Sequence, residues 1–171
     1  ADTTLAMLRG AMAELSVGNP AVLSRDVGPV IDEEAKAAIN HHIATLRAAG
    51  CKVTQSGVGE QAEAGTFVAP TLIEINAVSD LTHEIFGPVC HVIRYAHDQL
   101  SALIDQINAL GFGLTMGLHT RSDATMALVR RKAAVGNLYI NRNQVGAVVG
   151  VQPFGGEGES GTGPKAGGPL Y

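Results

Sequence analysis

The sequence predicts an α/β domain, a mostly parallel open sheet with flanking helices. Three observations predict it. Short apolar runs that read as strands alternate with longer amphipathic runs that read as helices, the pattern of a mostly parallel sheet. Gly or Pro punctuates most boundaries between them. A long glycine-rich stretch, 137–168, begins with a strand, and open α/β sheets bind ligands beyond the carboxyl ends of strands.

Residues 2–15 read as a helix, because Leu5, Leu8, Met12 and Leu15 form one apolar stripe and Gly18-Asn19-Pro20 follow. The segment 23–31 is extended or turning, since Val27-Gly28 precede Pro29. Asp32 is placed to cap a second helix, and Glu33 and Glu34 suit its positive end. That helix turns Ala35, Ile39, Ile43 and Leu46 inward as far as Ala49, and Gly50 stops it. A short strand follows at 51–53, then a surface loop at 56–65. Residues 66–75 read as extended, with Pro70 confining the first half to an edge or a bulge.

The loop 81–88 leads into a strand over 89–95. A helix over 98–110 sets Leu100, Leu103, Ile104 and Ile107 on one side, and Gly111 and Gly113 end it. A strand is expected at 114–119, and a helix capped by Ser122 runs to Ala134. The last strand, 138–140, opens the glycine-rich stretch. That stretch has no period, and such a loop inside a compact domain is functional or disordered. Val145, Val148, Val149, Val151 and Phe154 argue for order, as apolar anchors of a binding loop. Its glycines would let backbone N–H groups approach an anion.

Composition narrows the function. The 171 residues suffice for one domain with a core. A net charge of −4 argues against a dedicated nucleic-acid or anionic-membrane surface. No apolar run is long enough to span a membrane, and no signal peptide is evident. Charged residues are only 16%, which suggests surface covered by another domain or subunit. Cys51 and Cys90 make no disulfide framework, and a reducing, cytoplasmic compartment is expected. The chain opens inside a helical pattern and closes directly after the loop, so it reads as a fragment of a longer protein.

Gly156-x-Gly158-x-x-Gly161 spells a dinucleotide fingerprint, but no strand precedes it, no amphipathic helix follows, and Glu157 and Glu159 would repel a pyrophosphate. His41, His42, His83, His91, His97 and His119 show no metal-ligand spacing, so solvated or structural roles and no metal site are expected. Neither cysteine sits where its pKa would fall, so neither is read as a nucleophile. Glu84 is a sharper candidate, since a carboxylate can accept two hydrogen bonds from a ribose diol and Phe86 could wall the adjoining ring. From spacing alone, a solvated loop acid is the stronger reading.

Three segments carry a resemblance. Glu84-Ile85-Phe86-Gly87-Pro88-Val89, then Val135-Gly136 to Asn141, then Pro153-Phe154-Gly155-Gly156 with Ser160-Gly161, resemble the EIFGPV, VGxxxxN and PFGGxxxSG motifs of NAD(P)-dependent aldehyde dehydrogenases. Asn141-Arg142-Asn143, Gly146-Ala147 and the ending SGTGPKAGGPLY are similar to one branch, the L-glutamate γ-semialdehyde dehydrogenase modules of bifunctional proline-catabolic enzymes. The resemblance implies that residues 1–171 are the C-terminal part of an aldehyde dehydrogenase catalytic domain. The nucleophilic cysteine, the general-base glutamate and the NAD-binding Rossmann domain would lie outside the chain, so no catalytic residue is expected within it.

It also implies oxidation of L-glutamate γ-semialdehyde to glutamate with NAD, FAD in a separate proline dehydrogenase domain, and a homo-oligomer. On this resemblance Glu84 would bind the nicotinamide ribose and Phe86 would pack near the nicotinamide. Gly146 and Ala147 would offer N–H groups to the substrate α-carboxylate, and Phe154 would wall its aliphatic part. Ser160 to Gly168 would brace the loop. Two rivals remain: a non-catalytic assembly domain of the same fold, and an isolated anion-binding module.

Overall fold

The computed structural model describes residues 1–59, 64–161 and 163–170. Part of the expected 56–65 loop, and Thr162 of the expected brace, fall outside these. The chain forms two compact units, Ala1–Arg94 and the residues from Tyr95 onward.

The first unit is built on β2 (Thr71–Ile75), whose residues are almost all buried. It pairs antiparallel with β1 (Lys52–Gln55) and parallel with β3 (Val89–Ile93). Strand side chains alternate between faces, and here each face meets a different helix. Ile73 and Ile75 pack into a cluster with Ile39, Ile43 and Leu46 of α2 (Glu33–Ala48). Leu72 packs with Leu5 and Met12 of α1 (Asp2–Ala13). On the α1 side Glu74 is ringed by Arg9, Lys52 and Arg94, which form ion pairs with its carboxylate.

α2 follows its sequence signals, whereas α1 ends at Ala13 and leaves Leu15 of the expected stripe outside the helix. The Asp32 carboxylate accepts from the Ala35 N–H at 2.7 Å, and Gly50 leaves α2 with φ 87°. Only part of the α1 stripe is buried, because Leu8 and Leu15 line an open apolar groove of about 380 Å³ with Pro88 and Cys90. The half of the expected extended run up to Pro70 forms no strand, neither edge nor bulge: the Pro70 carbonyl accepts from the Ser56 N–H, and the central strand β2 begins one residue later.

In the second unit a short 3-10 turn at His97–Gln99 leads into α3 (Leu100–Ala109). β5 (Thr115–Leu118) and β6 (Asn137–Ile140) pair in parallel, joined through α4 (Asp123–Lys132), which is capped by Ser122. α3 and α4 are tied by Lys132, whose ammonium donates to Ser101 and Asp105, and by Asn108, whose amide donates to the Lys132 carbonyl.

The α/β class holds, with a corrected pairing. The parallel pairs β2/β3 and β5/β6 stand in separate sheets, and antiparallel pairs accompany them at β1/β2 and between Phe112–Gly113 and Glu157–Gly158. β4 (Phe112–Gly113) and β7 (Glu157–Gly158) are two residues each, too short to leave an alternating pattern in the sequence. Among the described residues, no helix is long and apolar enough to cross a membrane.

Candidate active site

The Glu84–Val89 motif forms a tight loop at the start of β3. Ile85 packs against the core cluster, while Glu84 and Phe86 on either side are exposed, Phe86 to 77%. Two close turns shape the loop, from the Gly87 N–H to the Ile85 carbonyl (3.1 Å) and from the Val89 N–H to the Gly87 carbonyl (2.8 Å). A Cβ on Gly87 would come within 2.5 Å of Ile39 Cδ1, so glycine lets this loop lie on the core. The Pro88 carbonyl accepts from the Thr71 N–H at 2.8 Å and fixes the loop to β2. The result is an exposed carboxylate and, two residues on, an exposed phenyl ring, both on a braced backbone. An exposed carboxylate keeps its acceptor capacity for a diol, and large aromatics are seldom left this open.

A histidine cluster that the sequence did not disclose joins α2, β3 and the 81–88 loop. His42 of α2 and His91 of β3 meet Nε2 to Nε2 at 2.8 Å, and the His83 ring sits edge-on to His42 at 5.6 Å. Burial pushes the His42 pKa down, with the His83 charge adding to it, and burial followed by the His42 charge does the same to His91. Only a long-range contact, from 42 to 91, reveals the pair.

In the second unit Asn141 marks the passage from β6 into the long loop. It is the one non-glycine described with positive φ (56°), and its side-chain amide both accepts from the Thr120 N–H and donates to the Thr120 carbonyl, each at 2.9 Å. Arg142 stacks over the Tyr139 ring at 4.8 Å. Further on, the Val148 N–H donates to the Gln152 side chain (2.7 Å) and the Gln152 N–H donates back to the Val148 carbonyl (2.9 Å). This closed turn borders an open cavity of about 430 Å³ whose lining includes Ala147, Gln152, Phe154 and Ala166. Two of the three expected substrate residues, Ala147 and Phe154, therefore meet at one cavity. Gly146 precedes the lining, and a Cβ there would meet open space.

The expected apolar anchoring of this loop is corrected. Val145, Val149 and Val151 are 94%, 97% and 70% exposed, and Val148 and Phe154 are also open. Polar contacts hold the loop instead. Asn137 donates to the Pro153 carbonyl at 3.0 Å, Phe154 and Ala166 exchange backbone hydrogen bonds, and the Gly113 N–H donates to Ser160 Oγ at 3.2 Å. A Cβ on Gly136 would lie 1.8 Å from the Gly155 carbonyl oxygen, so the loop packs backbone against backbone at the foot of β6. The Gly156, Gly158 and Gly161 signature has the same cause: added Cβ atoms there would strike the carbonyls of Gly113, Gly111 and Gly156. Lys165 lies in the 160–168 stretch expected to brace the loop and does so, whereas Gln152 was missed, because a single polar residue inside a glycine-rich run carries no periodic signal.

Neither cysteine is set up as a nucleophile. Cys51 is buried, and desolvation raises the Cys90 thiol pKa, the opposite of what a reactive thiolate needs. Among the described residues no group of three or more His, Cys, Asp or Glu is arranged to hold a metal ion.

This fold and these loops define a class. The family model "Aldehyde dehydrogenase family" matches residues 1–171, and the chain belongs to that family. Within it, the chain is 63% identical to "Bifunctional protein PutA" of Escherichia coli (strain K12), a match covering 100% of this chain and 13% of that protein. It is 39% identical to "1-pyrroline-5-carboxylate dehydrogenase" of Geobacillus kaustophilus (strain HTA426), covering 99% of this chain and 33% of that protein. A crystal structure of a Bradyrhizobium japonicum Proline Utilization A (PutA) mutant superimposes with a TM-score of 0.92 at 45% identity, over 99% of this chain and 17% of that one. The chain thus spans a small part of the relatives it matches.

Proposed function

We propose that this chain is part of an NAD-dependent dehydrogenase that oxidises L-glutamate γ-semialdehyde to L-glutamate in proline catabolism. Its parent would be a bifunctional, homo-oligomeric, cytoplasmic polypeptide with an FAD-dependent proline dehydrogenase domain. The observation that carries the reading is the 63% identity, over the whole chain, to a protein named as bifunctional PutA. The match to 1-pyrroline-5-carboxylate dehydrogenase supports the same chemistry.

In this reading Glu84 accepts hydrogen bonds from the nicotinamide ribose, and Phe86 bounds the nicotinamide ring. Bound NAD supplies the hydride acceptor. Gly146 and Ala147 direct backbone N–H groups at the α-carboxylate, the kind of charge-assisted bond that orients a substrate. Phe154 packs on the methylene groups. With Cys51 buried and Cys90 held as a thiol, the nucleophile comes from the parent outside this chain.

The test is NADH formation from glutamate semialdehyde, measured for the full-length parent and for this chain alone. The parent is expected to turn over and the chain alone to be inert. A folded parent that reduces no NAD would favour an assembly role for the domain. Turnover by the chain alone that vanishes in Cys90→Ala would move the active site to β3.

A further inference from the structure

We propose that Lys165 is the positioning residue of the substrate loop, a clasp that fixes Phe154 at the cavity by joining three separated segments of chain. The proposal rests on the functional reading above and deepens it. The Lys165 ammonium donates to the Gly136 carbonyl and, at 3.4 Å, to Asn137 Oδ1. The amide nitrogen of the same Asn137 donates to the Pro153 carbonyl at 3.0 Å. Next to these bonds, Phe154 N–H donates to Ala166 at 2.9 Å and Ala166 N–H donates back at 2.7 Å. The foot of β6, the Pro153-Phe154 limb and the Lys165-Ala166 limb therefore meet at one point.

The geometry gives Lys165 more than a surface role. It is partly buried, and a Cβ on Gly155 would come within 3.0 Å of its Cγ, so the stem runs along the loop backbone. Partly desolvating an ammonium is costly unless oxygens satisfy it, and two oxygens of the β6 foot do so here. Phe154 is itself 56% exposed, so packing inside the unit does little to hold it. Its position depends on its backbone, which the Asn137 bond fixes at Pro153 on one side and the Ala166 bridge fixes directly. Lys165 adjoins Ala166 and bonds Asn137, so it acts on both restraints at once.

The test uses the full-length parent with Lys165→Met, which keeps an apolar stem and removes the charge, and with Lys165→Arg, which keeps the charge. Two quantities are read: amide hydrogen exchange at Phe154 and Ala166, and steady-state constants for glutamate semialdehyde and NAD. In Lys165→Met the two amides should exchange about tenfold faster or more, the scale of a lost hydrogen bond to a charged group. Amides of α3 should keep their rates. KM for the aldehyde should rise by a similar factor while KM for NAD stays put, and Lys165→Arg should restore both in large part.

Unaltered exchange at Phe154 and Ala166 would overturn the clasp. Faster exchange with an unaltered aldehyde KM, or a loss of kcat alone, would overturn the positioning role and leave an ordinary structural lysine. Lys165→Gln, a neutral donor, serves if the Met variant does not fold. If the unaltered parent oxidises no semialdehyde, the functional reading and the positioning role fall together, and the exchange rates still decide the clasp.

Discussion

Replacing Gly146 by valine separates ligand recognition from loop architecture, because at this position the two push in opposite directions. Most glycines of the loop are required by the fold: a Cβ on Gly156, Gly158 or Gly161 would strike a backbone carbonyl. Gly146 differs, since a Cβ there meets nothing within 4 Å and its φ lies outside the left-handed region. A side chain should therefore leave the fold intact. By restricting the unfolded chain it should even stabilise the protein, by about 0.4–1 kcal/mol for the alanine variant.

Any loss in Gly146→Val must then come from the ligand side. If the N–H groups of Gly146 and Ala147 hold the α-carboxylate, bulk at this point disrupts a charge-assisted bond of about 1.5–3 kcal/mol. That corresponds to a fall in kcat/KM for glutamate semialdehyde of roughly ten- to a hundredfold. An uncharged aldehyde of similar length should lose far less, and Gly146→Ala should fall between wild type and valine. The assay is the initial rate of NADH formation with both aldehydes in the full-length parent, alongside thermal unfolding. Equal losses on both aldehydes with an unchanged midpoint would refute carboxylate recognition at this turn. A lowered midpoint would refute the claim that the position is sterically free.

Other perturbations follow from the same geometry. Glu84→Ala in the parent should weaken NAD use by roughly tenfold or more while sparing aldehyde KM, as for any lost bond to a carboxylate; an unchanged KM for NAD would remove Glu84 from the cofactor site. Gly136→Ala should destabilise by about 1–3 kcal/mol or more through overpacking against Gly155, read as a lower unfolding midpoint, and an unchanged midpoint would contradict the backbone contact. The His42–His91 pair should make the protein acid-labile. Both folded pKa values lie below the ordinary 6.5, so as pH falls through that value the unfolded chain takes up protons first and stability declines toward the depressed folded values. Thermal midpoints measured from neutral pH downward should show this slope, and His42→Leu should flatten it.

Legibility varied by the kind of force involved. α2 could be read almost to the residue, because Asp32, the Ile39-Ile43-Leu46 spacing and Gly50 each act within a turn or two of the chain. The Glu84–Pro88 loop could be placed, and its motif already contained its logic: an inward Ile85 between two outward side chains, and a glycine where the core comes close. The histidine pair could not be read, since residues 42 and 91 become neighbours only once α2 packs on β2 and β3 pairs beside it. β4 and β7 were equally silent, because a two-residue ladder is set by where the loop returns.

The long loop shows where composition misleads. Its valines pointed to apolar anchors, and the structure leaves them exposed. Val145 and Val149 are almost fully exposed, and hydrogen bonds donated by Asn137 and Lys165 and accepted by the Gln152 side chain keep the loop in place. Apolar residues in a sequence say that burial is favourable without saying against what. Such polar contacts, each worth about 0.5–1.5 kcal/mol net, are enough to define a loop whose glycines already allow close backbone packing. The valines are then left free to face whatever the loop serves. Gly146-Ala147 lies between Val145 and Val148, and Val149 and Val151 line the cavity at Phe154, so exposed valines flank the residues proposed for substrate. A surface apolar stretch held by polar clasps is what a site needs when its hydrophobic contacts are reserved for a ligand.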